Sequence, residues 1–376
     1  MLNNLPGILA LSVSISLINV SPIPAIVAQN SDIAWQKLAD TAVADGLPGV
    51  SIAIYVPKSP LIVIVSGNSD IEPRTRLTPT DLSRIASVSK MYIATVIMQL
   101  VQEKKITPSD RVSQYLSAAD VSHIANLKTA TIGQLLSHTS GIFDYYNDGN
   151  FGADRPDQYN FTIEESLHYA WDQPALFSPG AQYSYSDTNT LLLALVIEKV
   201  TGKPFAQEVR SRILTPLKLA HTFTEIFEPT PQAVIHGYDF DKRGNATDYF
   251  QMQGAGLPDG GIITTPTDMV NFFKGLLVDG KLLQPATLAQ MLKPRADTGD
   301  GVSIGYHIFM QSLSNGDTQY WHDGEISGYQ AELFFSEKTG VIIAAWANGT
   351  GKTQDDTFNT MFNALQDDVI QRETIK

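Results

Sequence analysis

The sequence predicts an α/β chain of the α+β kind: one sheet assembled from both ends, with a helical lobe inserted between them. Three observations predict it. Strand-like runs lie near the start, at GVSIAIYV (49–56) and LIVIV (61–65). Strand-like runs return near the end, at GYQAELFFS (328–336) and VIIAAWANG (341–349). Between them, after Thr78, the apolar spacing is mostly helical. Clefts between such lobes are common ligand sites.

Each element has its own signal. Residues 33–45 read as an amphipathic helix, and Pro57 and Pro60 separate the first two strands. The run 91–102 is the clearest helix, and the helical lobe is expected over roughly 90–245. DFDKRGNATDYF (239–250) faintly suggests a calcium loop, but Arg243 and Phe250 stand where that loop needs oxygen ligands, so a surface hairpin is expected. From about 251 the chain turns Gly- and Thr-rich, as in GGIITTP, and EKTG (337–340) joins the last two strands as a tight hairpin. Residues 355–369 read as a closing helix.

Composition narrows the function. The 376 residues are 43% hydrophobic and 17% charged, enough for a large core, and no internal repeat divides them. The net charge of −13 and the lack of a basic stripe exclude a nucleic-acid binder. With no cysteine there is no disulfide, thiolate catalysis or Cys-ligated metal. The seven histidines form no metal motif, so neither cofactor nor metal is expected. The first 31 residues carry no charge, with an apolar centre near 8–20 followed by Pro22, Pro24 and Ala28. This reads as a signal peptide, 1–28, ahead of one domain, 29–376, and implies a periplasmic or secreted protein. The alternative is an uncleaved anchor, the one case in which a membrane partner is expected.

Three short stretches carry candidate chemistry. In RIASVSKMYIATVIMQLV (84–101), Ser87 and Lys90 head the long apolar run. Ser87 could simply cap the helix. Three residues apart, however, the pair shares a helix face, and an amine beside an alcohol can activate it. In YSYSDTNTLLLALVIEKVTG (183–202), Tyr185 and Asp187 precede an apolar helix and can project into one cleft. In YWHDGEISGYQAELFFS (320–336), His322 and Gly324 stand in a strand pair, where the glycine admits a close approach to the backbone.

Taken together, the order and spacing resemble the penicillin-recognising serine hydrolases, with their S-x-x-K, Y-x-N and H-x-G boxes. That group includes class C β-lactamases, related esterases and D-aminopeptidases, and low-molecular-mass D-alanyl-D-alanine carboxypeptidases. TIGQLLSHTSGIFDYYND (131–148) resembles its H-T-S-G segment, and IITTPTDMVNFF (262–273) its sheet-to-helix turn. The likeness runs from about 33 to 369. It implies a β-lactamase/transpeptidase-like fold, a mixed antiparallel sheet flanked by helices with an inserted all-helical lobe. It implies Ser87 as nucleophile, Lys90 as its activating partner, Tyr185 as proton shuttle and His322 as the third corner. The backbone N–H groups of Ser87 and Glu325 would hold the oxyanion, and Phe143, Tyr145 and Tyr146 form an aromatic rim or simply pack.

The sequence also departs from that group. The second box ends in Asp187, not Asn; an ionised Asp cannot donate to a substrate carbonyl and would keep Lys90 protonated. That shifts the base role towards Tyr185. Where the carboxypeptidases flank the third box's glycine with hydroxyl residues, this chain has Asp323 and Glu325, and Phe309 stands at their arginine position. Gly324, Asp323, Asp187 and Glu325 are thus the expected substrate-contacting set. The leading expectation is a hydrolase of an ester or amide bond in a small or peptide-like substrate. A carboxypeptidase, a β-lactamase and a catalytically quiet binding protein are the alternatives. The oligomeric state is left open.

Overall fold

A computed structural model describes residues 30–375 apart from 147–150, 157–158 and 251. The expected signal peptide lies outside the described residues. A nine-stranded sheet organises the molecule. Its strands are β1 (Gly49–Tyr55), β2 (Ile62–Ile71), β3 (Arg74–Arg76), β4 (Ala296–Gly299), β5 (Val302–Ile304), β6 (Phe309–Ser312), β7 (Thr318–Ile326), β8 (Tyr329–Ser336) and β9 (Ile342–Ala347). Their order is β3-β2-β1-β9-β8-β7-β6-β5-β4, so the two ends of the chain meet at its middle. β1 and β9 pair antiparallel, with Val50 opposite Ala347 and Tyr55 opposite Ile342.

These two central strands are apolar on both faces because helices cover both. Side chains alternate with period two. Val50, Ile52, Ile54, Ile343 and Ala345 face one core, built against helices α1 (Asn30–Ala44) and α5 (Lys352–Ile375) through Trp35, Phe358, Phe362 and Leu365. Ala53, Ile342, Ala344 and Trp346 face the larger core, which holds α2 (Lys90–Gln102), α3 (Thr188–Thr201) and α4 (Pro266–Phe273). Residues 90–100 of α2 are buried all round, which explains its nearly uninterrupted apolar sequence. α3 ends at Gly202, whose φ of +70° is the left-handed conformation that closes a helix. Thr265 caps α4 by accepting from the Asp268 N–H.

The inserted lobe differs from expectation at one boundary. Its helices run only to Leu217, not to about 245. The last turn closes at Lys218, whose φ of +57° is left-handed, and short strands follow at Phe223–Thr224, Tyr238–Phe240 and Ala246–Asp248, with Pro229 and Pro231 between the first two. The last two form the hairpin expected at 239–250. Asp241 shapes its turn by accepting from the N–H groups of Arg243 and Asn245 at 2.8 and 2.9 Å. α5 is longer than the sequence pattern suggested.

Candidate active site

Ser87 lies in a single 3₁₀ turn, Ala86–Ser89, that leads directly into α2. The turn is held under constraint. Ala86 has φ +45°, unusual for a residue with a side chain. Ser89 accepts from the Ile262 N–H at 3.1 Å and ties the turn to the neighbouring strand. β7 presses on it from the other side: a Cβ at Gly324 would collide with the Ile85 carbonyl and come within 3.0 Å of the Ser87 nitrogen. The glycine is needed for the approach of strand to turn.

Lys90, the first residue of α2, is 1% exposed. Its ammonium donates to Ser87 Oγ at 2.9 Å and to the Asp259 carbonyl at 2.8 Å, and lies 2.6 Å from Asp187 Oδ1. Burial pulls its pKa down. The charge on Asp187, foremost among its neighbours, outweighs that and holds the pKa above lysine's ordinary value. Lys90 therefore keeps its proton at neutral pH.

Tyr185 and Asp187 reach the same point from the turn before α3. Asp187 occupies the N-cap position but makes no capping bond; its carboxylate turns to Lys90 instead. The Tyr185 ring stacks on His138 at 4.3 Å, and the Lys90 ammonium lies 5.1 Å from its centroid. His138 Nδ1 accepts from the Ser186 N–H at 3.2 Å, which fixes the ring that supports the tyrosine. Burial raises the Tyr185 pKa, Asp187 adds to the rise and Lys90 opposes it, so the phenol stays above its ordinary value. A phenol so held keeps its proton at rest, which fits the proton-shuttle role expected of Tyr185.

His322 is buried on β7. Its Nδ1 is 2.6 Å from the carbonyl of Asp323. A carbonyl only accepts, so Nδ1 carries the proton and Nε2 is left with a lone pair, buried and unpartnered. Burial, reinforced by Lys90 and opposed by Asp323, pulls the imidazole down to about 4 and keeps it neutral. Phe309 lies beside it, ring centroids 5.3 Å apart. The pairing of β7 with β6 ends at Trp321, so 322–326 extends past its neighbour.

His322 and Gly324 are buried, while Asp323 and Glu325 alternate to exposed positions. The Glu325 carboxyl is raised by burial and by Asp355, Asp323 and Asp239, and Glu325 lines the same cleft as Ser87 and Lys90. Three other acids stand near Lys90 and add to the negative charge expected of Asp323 and Glu325. One is Asp187. The other two, Asp259 and Asp144, were not picked out from the sequence. Burial raises both carboxyls; Asp187 reinforces each rise and Lys90 opposes it. Tyr145 donates to Asp259 Oδ2 at 2.8 Å. Asp144 could have been suspected, since it sits in the SGIFDYYND stretch. Asp259 follows Pro258 and precedes Gly260 and Gly261, where an aspartate reads as an ordinary turn residue.

Ser87, Lys90, Asp187, Asp259, Tyr145 and Glu325 line one cleft. Tyr146 and Phe151 also reach it; Phe143 packs against the core instead. Among the described residues the cleft's two cations are both engaged, Lys90 by Asp187 and Arg84 by Glu225 at 2.7 Å. Among the described residues no cluster suits a metal ion.

Comparison with known proteins agrees with this geometry. The family described as Beta-lactamase matches residues 35–368. The putative penicillin-binding protein PbpX of Bacillus subtilis is 30% identical over 287 residues, 75% of this chain and 66% of that longer protein. A teichoic acid D-alanine hydrolase of Staphylococcus aureus is 30% identical over 335 residues, 86% of this chain and 77% of its own length. The crystal structure of a D-stereospecific amidohydrolase from Streptomyces superposes with a TM-score of 0.75 at 28% identity, covering 85% of this chain and 94% of that one. A sheet built from both chain termini, a Ser–Lys pair at the head of a buried helix and this breadth of similarity lead to one conclusion: the chain belongs to the β-lactamase family, serine hydrolases that act on amide and ester bonds.

Proposed function

We propose that Ser87 is the nucleophile of a periplasmic or secreted hydrolase that cleaves an ester or amide of a D-amino acid through an acyl-enzyme. The observation that carries this reading is the Lys90 ammonium, held between Ser87 Oγ at 2.9 Å and Asp187 at 2.6 Å at the floor of a cleft. Two relatives named for D-configured substrates, the teichoic acid D-alanine hydrolase and the D-stereospecific amidohydrolase, support the substrate class. The uncharged apolar N-terminal stretch supports export.

The resting protonation states favour a relay over an ionised base. Ser87 Oγ attacks the carbonyl carbon and passes its proton to the Tyr185 oxygen. Tyr185 passes its own proton to the departing alcohol or amine. Water then repeats the exchange in reverse and frees Ser87. Lys90 remains charged throughout and stabilises the negative charge that grows on the two oxygens. His322 supplies a neutral acceptor, and the N–H groups of Ser87 and Glu325 serve the oxyanion. With both cleft cations already paired, a substrate carrying a free carboxylate beside the scissile bond meets uncompensated negative charge. This disfavours the carboxypeptidase reading.

Intact mass spectrometry after incubation with aryl esters, D-amino acid amides and penicillins tests the proposal. A mass increment mapped to Ser87, lost in Ser87→Ala, is expected. Full turnover by a folded Ser87→Ala would sink it. A D-alanyl-D-alanine peptide compared with its C-terminal amide tests the specificity; a clear preference for the free acid would return the protein to the carboxypeptidases.

A further inference from the structure

We propose that the acidic part of this cleft is a subsite for the primary ammonium group of the substrate, with Asp259 and Asp187 as its counter-charges. The inference deepens the hydrolase reading and rests on it.

The charges do not close without a ligand. Four acids line the cleft, Asp187, Glu225, Asp259 and Glu325; Glu225 is engaged by Arg84, and among the described residues the cation that touches both Asp187 and Asp259 is Lys90. Lys90 meets Asp187 through its carboxylate but Asp259 only through the backbone carbonyl. Arg84 is held by both Glu225 oxygens, at 2.9 and 2.7 Å. Among the described residues, the one side chain that serves the Asp259 carboxylate is the Tyr145 hydroxyl, beside Asp259's own backbone N–H. Asp259 is only 8% exposed, and its Oδ1 has no partner. A buried carboxylate oxygen without a donor is costly, and a cation brought by a ligand relieves that cost.

The rest of the wall suits the same ligand. Tyr145 and Tyr146 rings lie 6.1 Å apart, and Phe151 stands 5.0 and 5.6 Å from them. Aromatic faces attract cations. Distance fixes where the amine sits in the substrate. One lysine ammonium spans Ser87 Oγ and the Asp187 carboxylate, and Asp259 lines the same cleft as Ser87, so the acids lie close to the attacked carbonyl carbon. That reach matches an amine on the carbon next to the scissile carbonyl, as in an unblocked amino acid ester or amide. An N-acylated substrate has no charge to offer there.

The test is kcat/KM for D-alanine p-nitroanilide against propionyl p-nitroanilide, which lacks only the amine, on wild-type protein, Asp259→Asn and Asp187→Asn. Removing one partner of a desolvated charge pair typically costs enough to shift this ratio by about 10²-fold, which is the wild-type preference expected for the amine. The ratio should fall at least tenfold in Asp259→Asn. A wild-type ratio near one, with both compounds acylating Ser87, overturns the subsite and leaves the hydrolase intact. Acylation by neither compound overturns the hydrolase reading and the subsite with it. A ratio unchanged in a folded Asp259→Asn removes Asp259 from the assignment. Should that variant not fold, inhibition of wild-type p-nitrophenyl acetate hydrolysis by n-butylamine decides: competitive inhibition absent with n-butanol supports the subsite, and equal behaviour of the two overturns it.

Discussion

Asp187 replaces the asparagine that the related box carries, and one oxygen atom changes what its neighbours can do. An amide would donate and accept; the carboxylate only accepts, and it pins Lys90 as a cation. Tyr185→Phe should therefore lower turnover by about 10²–10⁴-fold, the range for an acid–base group, with little change in melting temperature. Lys90→Arg keeps the charge but not the compact geometry. Residual turnover well above that of Ser87→Ala is expected of a charge-stabilising role. Complete loss in a folded protein would assign Lys90 the base role instead. His307 offers a separate test by pH. It is fully buried, and burial pulls its imidazole well below the ordinary 6.5. The unfolded chain takes up that proton near 6.5 and the folded chain does not. Its contribution to stability is thus complete above the unfolded value and is lost as pH falls towards the folded one. Below 6.5 the loss approaches about 1.4 kcal/mol per pH unit. Urea unfolding of wild type and His307→Gln at pH 7 and pH 5 should show a smaller drop in the variant. At this scale the sequence was a good guide to which polar residues meet, since Ser87, Tyr185 and Asp187 gather around the Lys90 ammonium. It was a poor guide to Asp259, because a turn aspartate becomes a cleft acid only through packing between distant segments.

At the scale of elements, the contact between β7 and the Ser87 turn is the joint on which the site depends. Gly324→Ala must push the strand away from Ile85 and Ser87, because the new methyl meets backbone rather than a yielding side chain. A loss of about 10²–10³-fold in kcat, the cost of one misplaced oxyanion donor, is expected, with a smaller change in KM. Unchanged kcat in Gly324→Ala would show that the strand does not shape the site. The opposite expectation holds for the outer layer. Trp35 is buried between α1 and the sheet, and its indole donates to Asp368 of α5 at 2.7 Å. Trp35→Ala should cost about 3–5 kcal/mol of stability by chemical denaturation and leave kcat/KM of the folded protein intact. Elements with a strong apolar period, such as α2 and the strand pair β8–β9, were legible in the sequence. The end of the helical lobe was not. Thr222–Glu228 to Val234 mixes apolar residues with two prolines, and only tertiary pairing with 262–264 decides that its start becomes a short strand.

Over the whole molecule, the charge of −13 gives the cleft a field of the sign that draws cations in. Raising ionic strength from about 0.01 to 0.15 M shortens the Debye length from about 30 to 8 Å. The kcat/KM for an amine-bearing substrate should fall over that range while that for its neutral analogue stays level. Parallel behaviour of the two would argue against steering by charge.

The placement of the chain ends at the centre of the sheet has a kinetic consequence. β1 can gain its inner neighbour only when β9 arrives, and the Trp35–Asp368 bond joins residues 333 apart. Nucleation that must wait for such distant segments is slow, since the entropy of closing long loops is lost before the pairing compensates it. Until residues 342–347 are synthesised, β1 presents an unpaired edge at what becomes the middle of the sheet.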